Sequence, residues 1–176
     1  CFPSVTVKTS SMRECKIMGN TVPMSYSRTH QTRLIMPSDT NHHKSIFGGQ
    51  VLRYIDEIAA LAAMKHSKGE VVTASIDSVD FISSAYAGDV LELESVVTCT
   101  GRSSMEVYVR VICRDLKSGA ERLTTESFVT MVAIDDNGKP REVPGIYPET
   151  ETERRLFETG PMRREHRKMK RSLHQH

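Results

Sequence analysis

The 176-residue chain contains no tryptophan and has only 6% aromatic residues. No apolar run approaches the roughly 20 residues that a membrane span requires, and no membrane partner is expected. The four cysteines, at positions 1, 15, 99 and 113, show no CxxC or other metal-ligand spacing. A structural zinc site is thereby excluded as the basis of folding. Gly-x-Ser-x-Gly is absent, as is any reactive-cysteine signature, which argues against a serine or cysteine nucleophile. One-sided charge is also missing, since the net charge is only +2. That small total hides an asymmetry. Residues 161–176 carry six Lys/Arg against one Glu, so the other 160 residues sum to −3. Without interleaved aromatics or a recognition motif, the basic stretch gives no reason to expect nucleic acid.

What is present suffices for one domain. A chain of this length buries about 68–70% of its unfolded surface and needs no disulfide or metal to fold. Cys99 and Cys113 fall on core-facing strand positions and read as small buried hydrophobes in a reducing, cytoplasmic setting. Residues 1–27 read as a disordered extension. The first 23 contain no signal-like apolar run, and the weaker alternative is an organellar transit segment, because Glu14 is their one acid. A domain over 28–140 follows. Residues 141–176, broken by Pro144, Pro148 and Pro161, read as an appendix ending in the basic tail.

Within the domain the apolar period changes once. Residues 29–36 suggest a short strand, and 50–66 a long helix on which Val51, Leu52, Ile55, Ile58, Ala59, Ala62 and Ala63 recur at helical spacing. Gly48 and Gly49 precede this helix and Gly69 follows it as a stop signal. Its alanine-rich second half is slim enough to lie close against a sheet. From Val72 onward the period is two, with a phase slip near Asp77 and Ser78 that suggests a bulge. Three further alternating segments follow, separated by short turns, and predict an antiparallel meander. The fold class is α+β, in the order β-α-β-β-β-β. Such a sheet leaves both edges open, so two copies are expected to join edge to edge.

Chemistry concentrates around residues 41–57. The pair Gly48-Gly49 lets helix-start amides approach a ligand, where the dipole favours developing negative charge. Asp56 sits two turns into the helix with Leu52, Ala59 and Ala63 as its neighbours. A carboxylate in an apolar stripe is costly unless paired or used. A pair with Arg53 would be the structural explanation, although Glu57 is the better-placed partner for Arg53. His42 and His43 suggest a metal with Asp39, but adjacent loop side chains rarely converge on one ion.

These residues also carry a resemblance. Asp39-Thr40-Asn41-His42-His43, Ile46-Phe47-Gly48-Gly49, Tyr54-Ile55-Asp56-Glu57-Ile58-Ala59, the run from Thr73 to Phe81, Gly88-Asp89 and Gly101-Arg102-Ser103-Ser104-Met105 together resemble the hotdog-fold acyl-CoA thioester hydrolases. The resemblance spans roughly residues 28–160. It implies a curved antiparallel sheet wrapping one long helix, and edge-to-edge dimers that often assemble as trimers of dimers. It implies an acyl-CoA substrate, with coenzyme A as product and no metal or organic cofactor. By position, Asp56 is similar to the catalytic carboxylate, Asn41 to its partner from the facing subunit, and Gly49, with Gly48, to the amide that binds the thioester carbonyl. Arg102, Ser103 and Ser104 resemble the part that holds the CoA nucleotide. Val79, Asp80 and Phe81 would line the pantetheine channel. Ser83-Ser84 stands where many relatives carry a proline. Two other readings stay open: a hydratase or dehydratase on the same fold, and a non-enzymatic CoA-sensing module.

Overall fold

Met105, Val107, Val109, Val111 and Cys113 alternate along one segment and are all fully buried, as are Val129 and Ala133 on the next. These residues form the inner face of a sheet, and one helix covers it. In the computed structural model, which describes residues 20–173, that helix is α1 (Gly48–Ser67). It buries Val51, Ile55, Ile58, Ala59, Ala62 and Ala63 against the sheet. Its small residues permit the close approach expected from sequence. The helix ends at Ser67, two residues before the glycine that marked its stop. Lys68 takes the left-handed conformation, with φ 56°, and its N–H closes on Met64 O at 2.8 Å. Gly69 answers instead to space, since a Cβ there would lie 2.3 Å from the guanidinium of Arg141.

The sheet contains β2 (Thr29–Leu34), β3 (Val71–Phe81), β4 (Val90–Thr100), β5 (Ser104–Arg114) and β6 (Glu121–Ala133). All pairings are antiparallel, in the order β2-β4-β5-β6-β3. Only β4, β5 and β6 form the expected meander. The expectation that β3 continues directly into a neighbouring β4 is corrected: the two lie at different places in the sheet, with β5 and β6 between them. Period-two alternation reports which face is buried, and it is silent about which strand sits alongside. The chain returns through residues 82–89, which cross the start of α1 and are held there by Ile46 N–H donating to Ala85 O at 2.8 Å. The predicted bulge is present twice, as register shifts between Thr73 and Ser75 and between Ile76 and Ser78.

Two expectations about the chain ends change. Residues 20–27 belong to the fold, while residues 1–19 lie outside the described residues. Here β1 (Thr21–Pro23) runs parallel to β7 (Gly145–Tyr147). Met24 is fully buried in the core, and Ser27 Oγ accepts from Val97 N–H at 2.9 Å. The C-terminal segment is no broken appendix. It forms α2 (Glu151–Leu173), one helix with Pro161 inside it, docked on the outer face of the sheet. At Gly160 the helix passes so close that a Cβ would lie 2.9 Å from the Cβ of Cys99. Arg163 and Arg167, read as tail charges, converge instead on the buried carboxylate of Glu106. Thr98 donates to the same carboxylate at 2.7 Å, and Arg167 also reaches Asp77 on β3 at 3.5 Å.

The first turn of α2 carries a capping box that sequence reading passed over. Thr150 Oγ1 accepts from Glu153 N–H at 3.2 Å, and Glu153 Oε2 accepts from Glu149 N–H at 2.8 Å and from Thr150 N–H at 3.3 Å. Burial pushes the Glu153 carboxyl up, but those amides and Arg28 outweigh it and hold the group below its ordinary value. A depressed carboxyl stabilises the fold above its unfolded-state pKa, and that contribution disappears as pH falls through the folded value. Glu153→Ala is expected to cost at least about 1 kcal/mol at neutral pH. In urea melts the deficit should shrink below pH 4, and a constant deficit would separate it from ionisation.

Candidate active site

Asp56 leaves α1 toward β3, where Thr73 Oγ1 donates to its Oδ1 at 2.7 Å. No cation pairs with Asp56 among the described residues. The alternative ion pair is taken up elsewhere, because Arg53 Nε reaches Glu57 at 3.0 Å and Arg33 joins it from β2. Asp56 is therefore a half-buried carboxylate with one oxygen oriented by a hydroxyl and no donor from the described residues on Oδ2. That leaves an oxygen able to take a proton from water. Thr73 opens the run to Phe81 that carries the resemblance, yet nothing in its local sequence marks it as functional. Its partner is 17 residues away, across two elements, and no local pattern reports such a pairing. Thr73→Val is expected to lower turnover about tenfold, the equivalent of one hydrogen bond, with thermal stability within a few degrees of wild type.

Asn41 lies in the loop before α1, in a turn closed by Asn41 N–H to Ser45 O at 2.8 Å. Its Oδ1 accepts from His43 N–H at 2.9 Å and Ser45 Oγ at 3.2 Å. The side-chain oxygen is thereby committed, and the amide Nδ2 is the end that remains for a ligand. The His42 and His43 rings lie against each other, tilted by 43° with centroids 3.8 Å apart. The carboxylate of Asp39 is occupied by Met36 N–H at 2.9 Å and Gln50 at 3.4 Å. The three residues do not converge as a ligand set.

Gly48 and Gly49 open α1, so their amides lie outside the helical i to i−4 ladder and point out of its start. A Cβ at Gly48 would touch the Phe81 ring at 3.3 Å, whereas at Gly49 it would meet nothing within 4 Å. Gly49 is the open one. Beside it a cavity of ≈ 300 Å³ is lined by Ile46, Gly48, Val51, Phe81, Ser83 and Thr124. Ser83 anchors this wall by donating to Leu123 O at 2.8 Å. Val79 and Asp80 lead into the same region along β3.

Within one protomer these groups do not meet. Gly48 and Asp56 are separated by about 12 Å of helix axis. Arg102, Ser103 and Ser104 lie at the other end of the sheet from Phe81, because Ser104 is registered with Val132, which pairs with Val72. Arg102 is exposed and bridges to Glu142 at 3.3 Å, and Ser103 O accepts from Ala133 N–H at 2.9 Å. The other reactive side chain in reach of this layer is inert. Burial, then its bond to Asp89, pushes the Cys113 thiol up to about 12.

The thioesterase superfamily model matches residues 43–120. An acyl-CoA thioester hydrolase of Bacillus subtilis (strain 168), itself uncharacterised, is 47% identical over 142 residues, covering 81% of this chain and 83% of the relative. The chain belongs to the acyl-CoA thioester hydrolases of the thioesterase superfamily. The family's solved members carry the same hotdog fold. A hexameric acyl-CoA thioesterase superposes with a TM-score of 0.86 at 62% identity, covering 88% of this chain and 99% of that one. The acyl-CoA hydrolase from Staphylococcus aureus, solved with butyryl coenzyme A, coenzyme A and coenzyme A disulfide, gives 0.84 at 45% identity, covering 87% and 93%. That hydrolase has also been solved with alanine replacing one aspartate, one asparagine and one threonine. No helix among the described residues is long and apolar enough to cross a membrane.

Proposed function

We propose that the protein hydrolyses acyl-CoA thioesters to free CoA and a fatty acid, with Asp56 as the catalytic carboxylate. The observation that carries this reading is the unpaired carboxylate of Asp56, oriented by Thr73. In the Staphylococcus aureus hydrolase the three residues replaced by alanine are an asparagine, an aspartate 15 positions later and a threonine 17 beyond that. Asn41, Asp56 and Thr73 stand at the same two intervals. Asp56 either activates water or attacks the carbonyl itself. The amide of Gly49, with that of Gly48, then donates to the developing oxyanion, and a fixed donor of that kind is worth about 2.7–4 kcal/mol. Asn41 Nδ2 serves to orient the thioester or the water. Every group in this scheme comes from the chain, so it needs no metal or organic cofactor. Buried thiols at Cys99 and Cys113 fit a reducing compartment such as the cytoplasm. Val79, Asp80 and Phe81 border the path of the pantetheine arm, and Arg102, Ser103 and Ser104 are assigned to the CoA nucleotide.

The site is completed by a second copy. β3 is an eleven-residue edge strand with Val72, Ile76 and Phe81 exposed, whereas the other edge, β2, has six residues. Pairing two β3 strands antiparallel about Ile76 carries Thr73 of one chain toward the Phe81 end of the other. The partner's Gly49 and the partner's Asn41 then approach Asp56, and each dimer holds two equivalent sites. Three such dimers would make a hexamer. Co-refolding Asn41→Ala with Asp56→Ala tests both ideas. Random mixing makes half the dimers mixed, each with one intact site, so thiol release should recover to about a quarter of wild type. No recovery, with heterodimers confirmed by tag pull-down, defeats the shared site. A hydratase or a CoA-sensing module would release no thiol from acyl-CoA in any variant.

A further inference from the structure

A cleft of ≈ 530 Å³ lies on the outer face of the sheet, between the last turns of α2 and the middle of β3. The catalytic groups are on the other face, where Asp56 meets Thr73 from α1. Ile76, Phe128 and Met162 give the cleft apolar lining, and the cations of α2 form its rim. Two of those cations are already used, since Arg163 and Arg167 pair with Glu106 and Asp77. Lys170 and Arg171, farther along the same helix, make no ion pair among the described residues, and both are exposed at the cleft mouth. The cleft therefore offers an apolar trough with unneutralised positive charge at one end. Its volume is within the range of small-molecule sites.

The aromatic ring in the cleft narrows the ligand class. The guanidinium of Arg163, itself a cleft residue, sits 4.3 Å over the Phe128 ring, and Tyr108 packs against that ring at 5.2 Å. The face on which a nucleobase would stack is taken. An aliphatic chain needs no such face, and it gains from the Met162 and Phe128 carbon surface in proportion to its length. We infer that this cleft binds an aliphatic chain with an anionic head, the chain lying along Phe128 and Met162 and the head meeting Lys170 and Arg171. A fatty carboxylate has that chemistry, and it is the class of product that the proposed hydrolysis releases. Binding here does not depend on the catalytic reading. Edge pairing of β3 uses backbone groups in the plane of the sheet, so in the proposed dimer the two clefts lie side by side on the outer face, across the seam at Ile76.

Calorimetric titration of dodecanoate into Asp56→Ala protein, with the substrate site filled by saturating CoA, tests the inference. One equivalent should bind per chain, and octanoate should bind at least tenfold more weakly. Dodecyltrimethylammonium, with the same chain and the opposite head charge, should also lose at least tenfold. The exposed pair Lys170→Glu with Arg171→Glu should weaken dodecanoate at least tenfold without altering the melting curve. Met162→Glu should do the same through the chain end. Displacement of dodecanoate by CoA, equal binding of the ammonium amphiphile, or unchanged affinity in the double charge reversal would each overturn the site. Thioesterase activity is scored separately on wild-type protein, so a failure of the catalytic reading remains distinguishable.

Discussion

Asp56→Ala is expected to lower acyl-CoA turnover by about 10²–10⁴-fold, the range for loss of a general base or equivalent carboxylate. The size follows from the isolation of the group. No second carboxylate shares the oxygen that Thr73 orients, and the nearest acid on the helix, Glu57, is held by Arg53 and Arg33. The fold should persist, because the substitution removes one hydrogen bond at a half-buried position and relieves a carboxylate of its desolvation. KM should move far less than kcat, since the groups assigned to CoA are untouched. Asp56→Asn keeps the shape and the Thr73 contact while losing basicity, so it should be nearly as damaging. Retention of more than a tenth of wild-type kcat in either variant would place the base on another residue.

The largest expected effect on stability is at Glu106. This carboxylate is buried on the outer face and receives Thr98, Arg163 and Arg167. Glu106→Ala leaves two guanidinium groups facing each other over an apolar hole. Breaking a buried ionic cluster from one side costs about 3–5 kcal/mol. For a domain of this size that corresponds to a melting temperature lower by roughly 6–20 °C. The matching prediction is compensation: Glu106→Leu combined with Arg163→Met and Arg167→Met should recover most of the loss, because the two cations leave with the carboxylate and only Asp77, still held by Ser75 and Thr130, loses an ionic partner. Thermal melts followed by circular dichroism measure both. A single variant that melts within 2 °C of wild type would mean that α2 is held by its apolar contacts alone.

How much of this was legible follows from the range of each signal. α1 could be read because its seven apolar positions share one period, and β4, β5 and β6 because alternation runs through most of each, interrupted only near Val97 and Val111. The place of β3 was not legible. Its neighbour β6 is set by the long crossing of α1, and nothing within residues 71–81 encodes that. Pro161 suggested a break, yet it is accommodated inside the helix, and the glycine before it makes room for the Cys99 side chain of β4. Thr150 and Glu153 had the spacing of a capping box and would have announced the helix start. Asp56 stood out because a charge in an apolar stripe is a local anomaly. Thr73 did not, since a hydroxyl on an edge strand is ordinary until its partner is seen.

The two bulges in β3 also limit what can pair with that edge. Its register shifts leave no regular stretch longer than residues 78–81. A flat foreign strand would stay in step with it for about four residues before its hydrogen bonds fell out of phase. A strand that bends at matching points can stay in step for longer, and a copy of β3 paired about a two-fold axis midway between the two shifts, close to Ile76, bends at the matching points. The irregularity that orients side chains toward α1 thus doubles as a lock against stray strands. An edge rich in exposed apolar residues can remain open during synthesis and still be a poor template for aggregation.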